Sequence, residues 1–108
     1  MIVKWSYFAE DQQADILRYL TVKMSVEDAI RWAHRFHDDV ERLIDQPSLG
    51  HPVSTVIFDV QPLLIERLRE IFSGSYRIIY EPVDDVIRIL SITHTSKLVE
   101  RDHLVWDR

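Results

Sequence analysis

Residues Glu66–Thr95 read ERLREIFSGSYRIIYEPVDDVIRILSITHT. Three runs within them, Glu66–Phe72, Tyr76–Glu81 and Val86–Thr93, are rich in β-branched and aromatic residues and alternate with a period of two, as strands with one buried face do. Ser73-Gly74-Ser75 and Val83-Asp84-Asp85 separate the runs, and their glycine and aspartates tolerate tight-turn geometry. Strands joined this closely form an antiparallel meander, because a parallel return needs a crossover of about a dozen residues or more. If Asp84-Asp85 is a two-residue loop, Val83 pairs with Val86, Glu81 with Arg88, Ile79 with Leu90 and Arg77 with Ile92. Side chains alternate between faces. Arg77, Ile79, Glu81, Arg88, Leu90, Ile92 and His94 then share one face, with Arg77 and His94 together at its far end. The first hairpin stays open, since a three-residue loop would flip Arg67 and Arg69.

Upstream, Ile2–Tyr7 has the composition of a short strand. From Ala9 to about Thr21 the pattern turns helical: Ala9, Gln13, Ile16, Leu17 and Leu20 step at three and four, with Tyr19 beside them. Ser25-Val26-Glu27-Asp28 matches a capping box. It opens a second helix whose stripe Ala29, Ala33, Phe36, Val40 and Leu43 ends before Pro47. Val22–Met24 is too short a link for anything but an antiparallel helical hairpin. Gln46–Pro52 reads as a loop. Val53–Val60 is strand-like by composition, but Pro62 leaves its pairing open. The tail TSKLVERDHLVWDR after His94 reads as a short helix or an extended arm. The expected fold is α+β in two layers: an N-terminal strand and a helical hairpin packed on a small antiparallel sheet. The chain reads as one domain over residues 1–108, with 97–108 as a C-terminal tail.

A chain of 108 residues buries roughly two thirds of its unfolded surface, enough for a core without staples. It has no cysteine, which excludes disulfides and thiolate metal sites. The N-terminal stretch lacks the basic start and apolar run of a signal peptide, and no segment approaches the ~20 apolar residues of a membrane span. A cytoplasmic protein without membrane association is expected. The net charge of −5 argues against a protein whose main work is wrapping nucleic acid. The acid excess lies mostly before residue 66, so the meander can still present a local cationic patch.

The order of a helical hairpin, Pro47-Ser48-Leu49-Gly50, Arg67 to Arg69, Tyr76-Arg77-Ile78-Ile79-Tyr80, an acidic turn, and Ile87 to His94 resembles the RelE/ParE superfamily of type II toxin–antitoxin toxins. The similarity covers about Ile2 to Lys97. It implies a small toxin neutralised by a cognate antitoxin in a hetero-oligomer. RelE-like members cut mRNA on the ribosome, whereas ParE-like members inhibit DNA gyrase. Arg77 falls on the family's YR arginine and His94 on the histidine closing the last strand. The sequence departs from the ribonuclease pattern: no lysine lies between Lys23 and Lys97, and Thr95 follows His94 where some ribonuclease members place an aromatic. These departures favour the ParE-like reading. The alternatives are a ribosome-dependent mRNA endonuclease and a degenerate member that keeps only antitoxin binding.

Arg77 and His94 on one face would suit cleavage through the 2′-hydroxyl, which needs a base, an acid and a cation for the phosphate charge. Glu81 would assist only if close. The plainer reading is that Arg77 pairs with an acid and His94 is a hydrogen-bonded strand-end residue. Glu81 and Arg88 are most simply a cross-strand ion pair. Arg67, Arg69, Arg77, Arg88, Trp32 and Trp106 are the candidate contacts for an antitoxin or target, with Trp32 and Ile30 lying off the main stripe of the second helix. An exposed sheet edge would also let an antitoxin segment add as a strand. His34 and His37 stand three apart beside Asp38, but no third ligand is evident, so neither a metal nor a cofactor is expected.

Overall fold

The computed structural model describes residues 1–53 and 67–108; the sequence-based strand beyond Val53 and the start of the run at Glu66 lie outside the described residues. Strand β1 (Ile2–Trp5) leads into helices α1 (Tyr7–Lys23) and α2 (Val26–Asp45). Strands β2 (His51–Pro52), β3 (Arg69–Ser73), β4 (Tyr76–Val83) and β5 (Val86–His94) follow, then a 3-10 turn at Arg101–Leu104. The sheet order is β1-β5-β4-β3-β2. β3, β4 and β5 form the expected antiparallel meander. β1 joins β5 in parallel, so the sheet is mixed rather than wholly antiparallel. The short-loop argument does not bind β1, because the helical hairpin and the meander separate it from β5.

Both helices begin where a serine can accept from their orphan amides. Ser6 Oγ accepts from the Ala9 N–H at 3.0 Å, which starts α1 two residues before its apolar pattern. Ser25 Oγ accepts from the Asp28 N–H at 3.0 Å and its hydroxyl donates to Asp28 Oδ2 at 2.8 Å. That hydroxyl, with Arg31 beside it, holds the Asp28 carboxyl below the usual range. The stripe of α2 buries Ala29, Phe36, Val40 and Leu43, and the last three pack against Ile78, Tyr80, Ile87 and Ile89 of the sheet.

The first hairpin closes with two residues, not three: Ser73 pairs with Tyr76 around Gly74-Ser75. Gly74 sits at φ +60°, and a Cβ there would lie 2.4 Å from the Trp32 ring, so the turn needs glycine for conformation and for space. The second hairpin starts as expected, with Val83 opposite Val86 and Glu81 opposite Arg88. Beyond Tyr80 the register shifts. Tyr80 faces Ile89, but Ile79 faces Ser91, Arg77 faces Thr93 and Tyr76 faces His94. Leu90 is the extra residue of a β-bulge. The expected pairs Ile79–Leu90 and Arg77–Ile92 therefore do not form.

The face away from the helices is not open either. Val53, Leu68, Ile79, Leu90, Val99 and Leu104 form a second apolar cluster, with Trp106 against it. The tail is thus part of the fold. Its end reaches the start of α1, where Asp107 accepts from the N–H groups of Tyr7 at 2.7 Å and Phe8 at 3.0 Å. Arg108 donates to Trp5 O and Glu10 Oε1.

Candidate functional site

The Pro47–Gly50 loop is fixed by two residues of the sheet. The Tyr80 hydroxyl donates to Pro47 O and accepts from the Gly50 N–H, both at 2.8 Å. Arg69 Nη1 donates to Gly50 O at 2.5 Å. A Cβ at Gly50 would lie 2.7 Å from both the Tyr80 ring and Glu70 O. The pattern P-x-x-G with the second tyrosine of Y-R-I-I-Y is therefore a loop-to-sheet clamp. Burial pushes the Tyr80 hydroxyl up, which keeps it a donor.

Arg77 points away from the helices. Its Nε approaches Glu70 Oε2 at 3.2 Å, and both side chains are largely buried. The approach meets distance but not direction: neither atom has a hydrogen-bond partner among the described residues, and neither do the neighbouring Ser91 and Thr93 hydroxyls. Burial raises the Glu70 carboxyl, against the downward pull of Arg77 and His51. The Arg77 guanidinium also lies 5.7 Å from the ring of Phe72, its cross-strand neighbour.

His94 lies on the opposite face. It faces Tyr76 across the strands and meets that ring edge-on with centroids 5.5 Å apart. Its Nδ1 accepts from the Ser96 N–H at 3.1 Å. The bulge at Leu90 is the physical cause: one extra residue turns the end of β5 over, so His94 and Arg77 part company. The two cannot act on one phosphodiester, and the single face expected for Arg77 and His94 is not formed. Glu81 sits near the other end of β4, with Arg88 Nη1 and Arg67 Nε each 3.9 Å from its carboxylate.

The remaining candidates divide. Arg67 is exposed, and Arg88 lies 5.0 Å over the half-buried Trp106 ring. Arg67, Glu81, Arg88 and Trp106 thus make a charged string beside the second apolar cluster. Arg69 is engaged in the loop clamp. Trp32 is not a free patch: it packs on Phe36 and Tyr76, with Arg35 over its ring at 5.2 Å. Ile30 is exposed. His37 lies 3.8 Å from Glu41, and no described cluster of three His, Cys, Asp or Glu could hold a metal. Sequence reasoning missed Glu70 and Asp107. Nothing local distinguishes Glu70 from an exposed strand acid, and Asp107 acts from 100 residues away.

Among the described residues, helices α1 and α2 lie over a five-stranded mixed sheet that carries the clamped P-x-x-G loop and the arginines of the meander. A family model described as ParE toxin of type II toxin-antitoxin system, parDE, matches residues 3–99. The chain belongs to the ParE toxin family and is the toxin of a type II ParDE toxin–antitoxin system. A solved structure described as a chromosomal ParDE TA system from P. aeruginosa shares the fold, with a TM-score of 0.69 at 19% identity over 87% of this chain and 95% of that one. No curated protein sequence matches. Among the described residues no helix is long and apolar enough to cross a membrane.

Proposed function

We propose that this toxin acts in the cytoplasm, is neutralised by a cognate antitoxin and, when free, inhibits DNA gyrase by protein–protein contact. Membership of the ParE family carries this reading. The separation of Arg77 from His94 on opposite faces of the sheet supports it, because the rival endonuclease reading needs a base, an acid and a cation around one phosphate. The string Arg67–Glu81–Arg88 with Trp106 is the candidate contact surface. Arg69, Arg77 and Trp32 are engaged within the fold instead.

The test is induction without antitoxin, following plasmid supercoiling and transcript integrity together. Loss of negative supercoiling with intact transcripts is expected. Rapid transcript cleavage at unchanged supercoiling, abolished by His94→Ala in a folded chain, would replace the reading with the endonuclease. A folded chain that changes neither and leaves growth untouched would be a member that only binds antitoxin.

A further inference from the structure

A cleft of about 570 Å³ runs between α1 and the end of β5, outside the string of residues assigned above. One wall is a single face of α1: Gln12, Asp15, Ile16 and Tyr19 stand at helical spacing of three and four. The floor is apolar, made by Ile16, Tyr76 and Ile92, and the far wall carries His94, Lys97, Leu98 and His103. A cleft of this size with an apolar floor and a few convergent polar groups has the make-up of a recognition site.

The polar groups are biased one way. His94 Nδ1 accepts from the Ser96 N–H, and His103 Nδ1 accepts from the Glu100 N–H. Each ring therefore carries its proton on Nε2 and can only donate from there. Both rings are held in place, His94 against Tyr76 and His103 stacked on Phe8 at 4.9 Å. Gln12 Oε1 accepts from the Ile92 N–H at 2.9 Å, which leaves its NH2 group as a further donor. Lys97 adds an ammonium. Among the described lining residues the one carboxylate, Asp15, is paired with Arg18 a turn further along the helix. Burial, with Tyr19 nearby, pushes the Tyr76 hydroxyl up and keeps it protonated. Thr93 and Ser96 add hydroxyls that can accept as well as donate, but among the described lining residues the charged and ring N–H donors outweigh the acceptors, beside an apolar surface. Its complement is an apolar side chain beside a carboxylate.

We propose that this cleft anchors a segment of the antitoxin that sets a large apolar side chain on the Ile16–Tyr76–Ile92 floor and an aspartate or glutamate against His94 and Lys97. The choice of the antitoxin as occupant rests on the reading in the preceding subsection; the chemistry of the occupant rests on the cleft alone. An acidic antitoxin segment would meet here a local excess of donors in a chain whose net charge is −5, which fixes where on an otherwise acidic surface it docks.

The experiment uses the antitoxin encoded beside the toxin gene, with affinity read by calorimetry against the full chain. Tyr19, Lys97 and Leu98 are exposed, so Tyr19→Ala, Lys97→Glu and Leu98→Ala leave the fold intact. Lys4→Glu, on the outer strand β1, is the control for a change of net charge. Expected are losses of about tenfold or more for Lys97→Glu and smaller losses for Tyr19→Ala and Leu98→Ala. Lys4→Glu should bind as the unaltered chain does. The wild-type 15N spectrum should show both histidines as Nε2–H tautomers. If the antitoxin binds the unaltered chain and all three cleft variants equally tightly, the anchoring site is wrong while the toxin–antitoxin reading stands. If it does not bind the unaltered chain at all, both fall together.

Discussion

Arg77 shows how a residue that looks catalytic by position can be tied to the fold. Its guanidinium neutralises a carboxylate taken out of water, and removing one partner of a buried pair leaves an uncompensated charge. Arg77→Ala is expected to cost about 3–5 kcal/mol at neutral pH, measured by urea denaturation. The partner has its own signature. Because burial raises the Glu70 carboxyl above its ordinary 4.5, the protonated form fits the fold better. That contribution is full below the unfolded value and is lost as pH rises through the folded one. Stability of the wild type relative to Glu70→Gln should therefore fall as pH rises from below the ordinary glutamate value through the raised one. A flat difference across that range would mean that Glu70 is solvated. The plainer reading of Arg77, a pairing with an acid, was legible in the sequence; the role of Glu70 was not. Arg77 could be read as one of a pair with an acid, but which acid depends on a cross-strand diagonal that only the register supplies.

The elements were more legible than their register. Ser25 as a cap, the buried stripe of α2, the three strands of the meander and the Glu81–Arg88 pair all follow from period and turn chemistry. The bulge does not, because strict alternation carries the count through it. Its trace is a slip of phase at Ile89-Leu90-Ser91, where two apolar residues stand together and the inward positions move from 87 and 89 to 92. That one residue decides whether Arg77 and His94 share a face. The turn and the cap give two measurable consequences. Gly74→Ala would place a methyl group against Trp32 and force a positive φ on alanine, so a loss of about 1–3 kcal/mol is expected in thermal or chemical unfolding. Asp107→Ala removes the acceptor for the first two amides of α1. A loss of about 1 kcal/mol is expected, with faster hydrogen exchange at Tyr7 and Phe8. Unchanged exchange there would mean that the tail is not docked in solution. Sequence reading left the tail as a helix or an arm because its anchor, the open end of α1, is remote in the chain.

At the scale of the molecule, helices cover one face of the sheet and the tail lies against the second apolar cluster on the other. The two candidate contact surfaces lie at the margins: the arginine string beside Trp106, and the donor-rich cleft beside α1. Arg77 and His94 stand on opposite faces of the sheet, and the proposed gyrase contact would be made by the surface at those margins. Supercoiling of relaxed plasmid by purified gyrase, with the purified toxin titrated in, tests this most directly. The account predicts a concentration-dependent loss of supercoiling that added antitoxin reverses. Full supercoiling at every toxin concentration, together with cleavage of mRNA by the same preparation in a translating extract, would contradict it.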